Sequence, residues 1–118
     1  MEGDKAALRD GSVFEYCKLN DMVIQAWSVL QFGYFKGNFV GKEQFQDLNE
    51  VLNRLALKYG VSPSAIAIAW VLRYPAKMQA VVGTTNPEHL LEASQASNVN
   101  LTRKEWYEIY LAAGNDLP

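Results

Sequence analysis

The sequence contains a single cysteine, Cys17, and a single histidine, His89, among its 118 residues. One cysteine cannot form an internal disulfide bond, so we expect a reducing compartment and a cytoplasmic location. A structural zinc site needs about four cysteine or histidine ligands, so we predict no metal site. We interpret Cys17 as a small apolar group on a helix rather than as a reactive thiol.

The sequence also lacks an excess of positive charge and a long apolar run. Eleven basic and thirteen acidic residues give a net charge of −2, which cannot neutralise a row of phosphates, so we expect no nucleic-acid partner. The apolar runs are shorter than the about 20 residues of a membrane-spanning helix, and we expect no membrane partner. Residues 1–10 are polar and mixed in charge, unlike a secretory signal.

Apolar residues make up 49% of the chain, and its length suits one domain. Two short apolar runs, residues 22–28 and 79–82, predict strands. Because helical patterns separate them, the strands should be parallel. The first strand is predicted to be buried on both faces. Two strands form a marginal sheet, so both strands look built for neighbours that this chain does not contain.

Capping residues mark where the helices begin and end. Ser62 and Asn86 each precede a proline at the first helical position, which is a strong start signal. Thr102 and Glu105 have the spacing of a capping box. Gly60 stands where a left-handed helix end is expected. The first helix is expected to open at Ser12, as an N-cap.

The helical patterns also predict which side chains face the core. The expected core residues are Phe45, Leu48, Val51, Leu52 and Leu55; the apolar run 65–72; Leu90, Leu91, Ala93 and Ala96; and Trp106, Ile109, Tyr110 and Ala113. Between the first strand and these helices, residues 29–41 combine glycines with aromatic residues. A loop of this length is more often functional or disordered than a simple connection, and the aromatic residues argue against full disorder.

Two segments could carry chemistry. Residues 83–86 link the end of a strand to the start of a helix, which predicts either an anion site or an ordinary capped turn. Trp27 and Ser28 end the first strand, where ligands of parallel α/β folds bind. The residues alone favour the alternative of a core tryptophan and a strand-ending serine. No residue has the sequence surroundings of a catalytic nucleophile or base, so we predict no catalytic residue.

These segments, in this order, resemble the aldo-keto reductases. The matching stretches are FEYCK (residues 14–18), VIQAWSVL (23–30), YGVSPSAIAIAWVLR (59–73) and VVGTTNPEHL (81–90). They correspond to helix six, strand seven, helix seven, and strand eight with its cofactor loop. The tail, residues 106–109, resembles a bacterial branch of this family.

The resemblance implies an α/β fold, the C-terminal fragment of an eight-stranded (β/α)8 TIM barrel. Residues 1–118 would form one partial domain with the last two β/α units and a C-terminal helix: two short parallel strands with about five helices. The family's catalytic tyrosine, lysine, aspartate and histidine lie on earlier strands. The chain is therefore expected to be inactive alone and to belong to a carbonyl reductase that uses NADP(H).

The resemblance also implies cofactor contacts. Trp27 matches the residue that stacks on the nicotinamide, while Ser28 and Leu30 match contacts near the pyrophosphate. The remaining matches, to the adenosine phosphate loop and the adenine, are Gly83, Thr84, Thr85, Asn86, His89 and Glu92. His89 and Gly83 stand where many members have basic residues. A neutral imidazole contributes less charge than a guanidinium, so the choice between NADP and NAD stays open.

A second hypothesis needs no cofactor. The chain could be a catalytically inactive folded module that self-associates, because unpaired strand edges invite pairing with another chain. A homo-oligomer built through these edges would be its expected form.

Overall fold

The computed structural model describes residues 12–32 and 36–117. Its elements, in chain order, are α1 (Ser12–Leu19), β1 (Ile24–Trp27), α2 (Gln46–Tyr59), α3 (Pro63–Leu72), β2 (Met78–Val81), α4 (Pro87–Ser94) and α5 (Arg103–Ala112), with 3₁₀ turns at Glu43–Phe45 and Gln95–Asn98. The predicted helix-rich α/β chain with two strands and about five helices is confirmed for the described residues.

The two strands form a parallel sheet, as predicted. Ile24 pairs with Met78 at one end and Trp27 with Val81 at the other. The first strand is shorter than expected, and the second has the predicted length but lies one residue earlier. Their side chains alternate between half-buried and exposed, so the prediction that the first strand is buried on both faces is wrong. Within the described part of the chain, no layer covers the second face of this sheet.

The apolar core lies between α2, α3 and the C-terminal segment. Leu52 and Leu55 of α2 and Ile66 and Ile68 of α3 are fully buried. The almost all-round apolar composition of α3 is explained by its position, because α2, α4, β2 and the turn at Gln95–Asn98 all contact it.

The core prediction is wrong for one face of α4. Ala93 and Ala96 are buried, but Leu90 and Leu91 are 56% and 66% exposed. The helix packs on α3 through its alanine side, and nothing among the described residues covers its leucines. Ala113 is also exposed, because α5 ends before it.

Local capping follows the sequence closely. The Ser62 hydroxyl accepts a hydrogen bond from the Ala65 amide at 3.1 Å. Asn86 accepts from the Glu88 amide at 2.9 Å. Gly60 ends α2 with a φ of 66°, a conformation that costs glycine little. The prediction of Ser12 as an N-cap is wrong by one residue, because α1 begins at Ser12 itself.

The first helix packs lightly. Its Phe14 ring lies 4.4 Å from the ring of Tyr74, and Cys17 is a free, half-buried thiol. In the described ranges, no single helix is both long and apolar enough to cross a membrane. Only the pair Glu43–Tyr59 and Pro63–Leu72, which meet at a 93° bend, would together have the length and composition.

Candidate functional site

The strand register brings the two candidate segments together. Because Trp27 pairs with Val81, the carboxyl ends of β1 and β2 lie side by side. Residues 28–30 and 82–86 therefore leave the same edge of the sheet. We call residues 27–30 and 83–86 the carboxyl edge. In parallel α/β folds, ligands bind at this end of the strands.

Trp27 presents its ring to the outside of the molecule. Its side chain is 67% exposed, so the interpretation as a core tryptophan is wrong for this chain. Ser28 follows with a φ of 55°, in the left-handed region, which non-glycine residues adopt at a cost. Its carbonyl accepts from the Gln31 amide at 3.0 Å, and this bond closes a tight turn. Ser28 and Leu30 are half-buried.

The loop after β2 is held by its own side chains. The Thr84 hydroxyl accepts from the Asn86 amide at 3.1 Å, and the Asn86 side chain caps α4. Gly83 and Thr85 are exposed. The loop thus presents hydroxyl groups beside the positive end of the α4 dipole, an arrangement that favours an anion.

His89 and Glu92 lie one turn apart on α4 and are both exposed. The carboxyl edge and α4 thus present an exposed aromatic face, hydroxyl groups, a helix amino terminus and a carboxylate. These groups suit the stacked ring, the phosphates and the hydroxyl groups of a dinucleotide. The nine predicted contact residues include no lysine or arginine.

The structure reveals a buried amide beside this edge that sequence reasoning missed. Asn49 of α2 is buried, and its side chain contacts four backbone groups of residues 39–45. In the sequence it stands between the apolar positions of an amphipathic helix. Only its polarity next to Leu48 could have marked it.

A second missed cluster joins α2 to α5. The Glu105 carboxylate is buried and accepts from Lys58, from the Tyr59 hydroxyl at 2.7 Å and from the Thr102 amide at 2.8 Å. The predicted capping box of Thr102 and Glu105 is confirmed, and the Glu105 carboxylate also accepts hydrogen bonds from a second helix, α2. This cluster belongs to the helices, away from the carboxyl edge.

The hydrogen bonds outweigh burial in setting the acidity of this cluster. Burial raises the pKa of Glu105, but the bonds from Lys58, Thr102 and Tyr59 lower it more, to about 2. The hydrogen bond to Glu105 raises the pKa of Lys58. Burial, and then the same carboxylate, raise the pKa of Tyr59. The carboxylate is therefore charged and paired at neutral pH.

Other features do not add to the candidate site. An open depression of about 430 Å³ lies between the end of α1 and residues 75–77, at the opposite end of the strands from Trp27. Across residues 12–32 and 36–117, no group of three or more His, Cys, Asp or Glu side chains is placed to hold a metal ion. Part of the loop 29–41, residues 33–35, lies outside the described residues.

Comparison with known proteins identifies relatives of the chain. Residues 7–112 match the sequence model described as the aldo/keto reductase family. The chain is 39% identical over 94 residues to a 6-dehydroglucose reductase of Agrobacterium fabrum, covering 78% of this chain and 30% of that protein. It is 32% identical over 95 residues to the oxidoreductase YdhF of Escherichia coli, covering 79% and 30%.

A solved structure resembles the fold. Tm1743, a thermostable aldo-keto reductase solved with the inhibitor epalrestat, superposes with a TM-score of 0.63 and 25% identity, covering 90% of this chain and 34% of that one. The chain spans about 30% of the length of the curated relatives it matches. The predicted partial barrel and the bacterial branch are confirmed.

Proposed function

Because this chain belongs to the aldo/keto reductase family, we propose that it is the cofactor-binding part of an NADP(H)-dependent carbonyl reductase. The observation that carries the proposal is the parallel register of β1 and β2, which brings Trp27 beside the loop at residues 83–86. Both the aromatic face and the helix amino terminus of the proposed site thus lie at one edge. The chain would be one partial domain, residues 1–118, of a cytoplasmic oxidoreductase.

Each contact has a proposed role. The exposed ring of Trp27 would stack on the nicotinamide, and Ser28 and Leu30 would contact the pyrophosphate region. The loop formed by Gly83, Thr84, Thr85 and Asn86 would surround the adenosine phosphate. His89 and Glu92, one turn apart on α4, would contact the adenine. The exposure of Trp27 supports this assignment, because a core tryptophan could not stack on a ligand.

The chemistry needs groups from the rest of a barrel. A bound nicotinamide cofactor supplies a hydride that a carbonyl carbon accepts, and a tyrosine of the parent enzyme would give the proton. This chain would bind and orient the cofactor but would not turn over substrate by itself. His89 and Gly83 offer no fixed positive charge to a 2′-phosphate, so NADPH and NADH need to be compared directly.

Calorimetric titration of the purified chain with NADPH and with NADH tests the proposal. We expect saturable binding that weakens about tenfold in Trp27→Ala, through the loss of ring stacking worth about 1–2 kcal/mol. Heat is a better signal than tryptophan fluorescence, because the variant also removes a fluorophore. Leu57→Ala is the matched control: it truncates another exposed apolar side chain, on α2.

Equal weakening in both variants, or no binding by a chain that is folded by circular dichroism, would contradict a cofactor site in this chain. Detectable carbonyl reduction by the chain alone would contradict the assignment of the chemistry to the rest of the barrel.

A second candidate, self-association, is supported by the sheet. In the described residues, neither β1 nor β2 pairs with a third strand, so both outer edges offer backbone hydrogen-bonding groups. Sedimentation velocity over a wide concentration range tests this candidate. Dimers or larger species at high concentration would support it, and a strict monomer would refute it.

A further inference from the structure

One buried side chain holds the loop that follows β1. Asn49 is only 7% exposed. Its Nδ2 lies 3.1 Å from the Phe39 carbonyl, 3.2 Å from the Lys42 carbonyl and 3.0 Å from the Phe45 carbonyl. Its Oδ1 accepts from the Gly41 amide at 2.7 Å. A single amide therefore satisfies backbone groups along a stretch of loop that has no regular hydrogen-bond ladder.

The hydrogen bonds continue from this loop to the carboxyl edge. The Phe39 amide, on the same residue whose carbonyl contacts Asn49, donates to the Leu30 carbonyl at 3.0 Å. Gln31 and Asn38 form an antiparallel bridge beside it. The Gln31 amide in turn donates to the Ser28 carbonyl. Asn49 is thus connected through Phe39 and Gln31 to two of the proposed cofactor contacts.

This connection matters because Ser28 does not rest in a relaxed conformation. Its left-handed φ persists only if the surrounding structure fixes it. The turn formed by Ser28 and Gln31 is fixed through the bridge to Asn38, and the residues that follow the bridge are fixed by Asn49. Phe39 adds a ring contact with Phe45, whose carbonyl also contacts the amide.

We propose that Asn49 is a positioning residue that holds residues 28–31 in the conformation of the cofactor site, without touching the cofactor itself. The effect of Asn49 on cofactor binding rests on the proposed function. Its structural part, the fixing of the turn after β1, stands on the hydrogen bonds alone.

Amide hydrogen exchange measured by NMR, without cofactor, tests the structural part. Asn49→Leu is close in size and removes all four contacts. We expect the Phe39 and Gln31 amides to exchange about tenfold faster relative to the α3 amides, as expected for the loss of a buried hydrogen-bonding partner. Leu55→Ala is the matched control, because it destabilises the same helix from its core side and should speed exchange without favouring these two amides.

Asn49→Asp distinguishes the contact made by Oδ1 from the three contacts made by Nδ2, at neutral pH. The carboxylate keeps an acceptor for the Gly41 amide but cannot donate to the three carbonyls. We expect Gly41 to stay protected in Asn49→Asp while Phe39 and Gln31 lose protection. In Asn49→Leu, all three amides should lose it.

Calorimetry with NADPH then tests the link to the cofactor. We expect affinity to fall about tenfold in Asn49→Leu and to stay near the wild-type value in Leu55→Ala at a temperature where both are folded. Unchanged exchange at Phe39 and Gln31 would overturn the inference, and so would faster exchange with unchanged affinity. If the wild-type chain binds no cofactor, the proposed function fails, and the exchange data alone decide whether Asn49 holds the turn.

Discussion

The helical layer of α2, α3 and α5 encloses most of its large apolar side chains, with Leu57 and Leu111 as the exposed exceptions. The sheet with α1 and α4, in contrast, leaves many of its own exposed. Leu52, Leu55, Ile66 and Ile68 are all fully buried in the helical layer. On the other side, Trp27, Val81, Leu90 and Leu91 are exposed, and α1 has no buried residue. We call α2, α3 and α5 the finished layer, because their large apolar side chains are mostly buried. We call the sheet with α1 and α4 the unfinished layer, because many of its apolar side chains are exposed.

The difference separates self-sufficient packing from packing that needs other β/α units. A barrel strand pairs with a neighbour on each side and has packing layers on both of its faces. In a two-stranded sheet each strand has one neighbour, and among the described residues only one face is packed. Helices packed against one another can close a core with fewer partners. The finished layer should therefore carry most of the free energy of unfolding, and the unfinished layer most of the capacity to bind other molecules.

The largest expected effect is in the finished layer. Leu52→Ala should lower the free energy of unfolding by about 3–4 kcal/mol, because it removes apolar contacts and leaves a cavity among side chains that cannot collapse fully. The same truncation at Leu90, on α4, should cost less than about 1 kcal/mol, since that side chain is already hydrated. Urea denaturation followed by circular dichroism measures both. Equal losses would erase the distinction between the layers.

The next effect concerns the carboxylate that joins α2 to α5. Glu105→Gln should destabilise the chain by about 2 kcal/mol at pH 7, because the buried amide cannot satisfy Lys58 and Tyr59 as a charged acceptor does. Glu108→Gln is the matched control on the same helix, where a partly exposed pair with Arg54 should contribute at most about 1 kcal/mol. Chemical denaturation of both variants at one pH decides the comparison.

The same carboxylate predicts a pH dependence. The folded-state pKa of Glu105 is lowered from 4.5 to about 2, so the unfolded chain binds the proton more readily. The contribution of Glu105 is fully present above the unfolded pKa and is lost as the pH falls toward the folded pKa. The stability difference between wild type and Glu105→Gln should therefore shrink between about pH 5 and pH 2. A difference that is constant across this range would contradict the assigned pKa.

Sequence reasoning succeeded where the physics is local. The caps at Ser62 and Asn86, the capping box at Thr102 and the end of α2 at Gly60 depend on a few neighbouring residues, and each is found in the structure. The parallel strand pair also followed, because a helical connection between adjacent strands imposes it.

Prediction from the sequence failed where burial depends on residues outside the local pattern. The helical pattern that places Leu90 and Leu91 toward a core applies to a helix packed on more than one side, and the part of the chain that the structure describes packs α4 mainly on α3. Glu105 and Lys58 are 47 residues apart, and no local pattern pairs them. Asn49 had no sequence signal beyond a polar residue in an amphipathic helix.

A smaller effect is expected where α5 meets α3. The Trp106 indole donates to the Trp70 carbonyl at 3.0 Å, Trp70 donates to the Trp106 carbonyl at the same distance, and the rings stack 4.8 Å apart. Trp106→Phe keeps a ring but loses one donor, and should cost about 1 kcal/mol. Tyr107→Phe, which changes a neighbouring ring, is the control. A loss no larger than the control's would mean that neither the hydrogen bond of the Trp106 indole nor its second ring contributes measurably to the contact between the helices.

The smallest expected effect on stability lies in the unfinished layer. Leu91→Lys should change the free energy of unfolding by less than about 0.5 kcal/mol, because the side chain is mostly exposed and the helix tolerates lysine. If copies that pair through the strand edges also contact each other through the exposed leucines of α4, the same substitution should reduce association in sedimentation velocity. Leu57→Lys places the same charge on the exposed side of α2, in the finished layer, and should leave association unchanged. Equal effects of the two lysines would show that net charge, and not the exposed face of α4, controls the assembly.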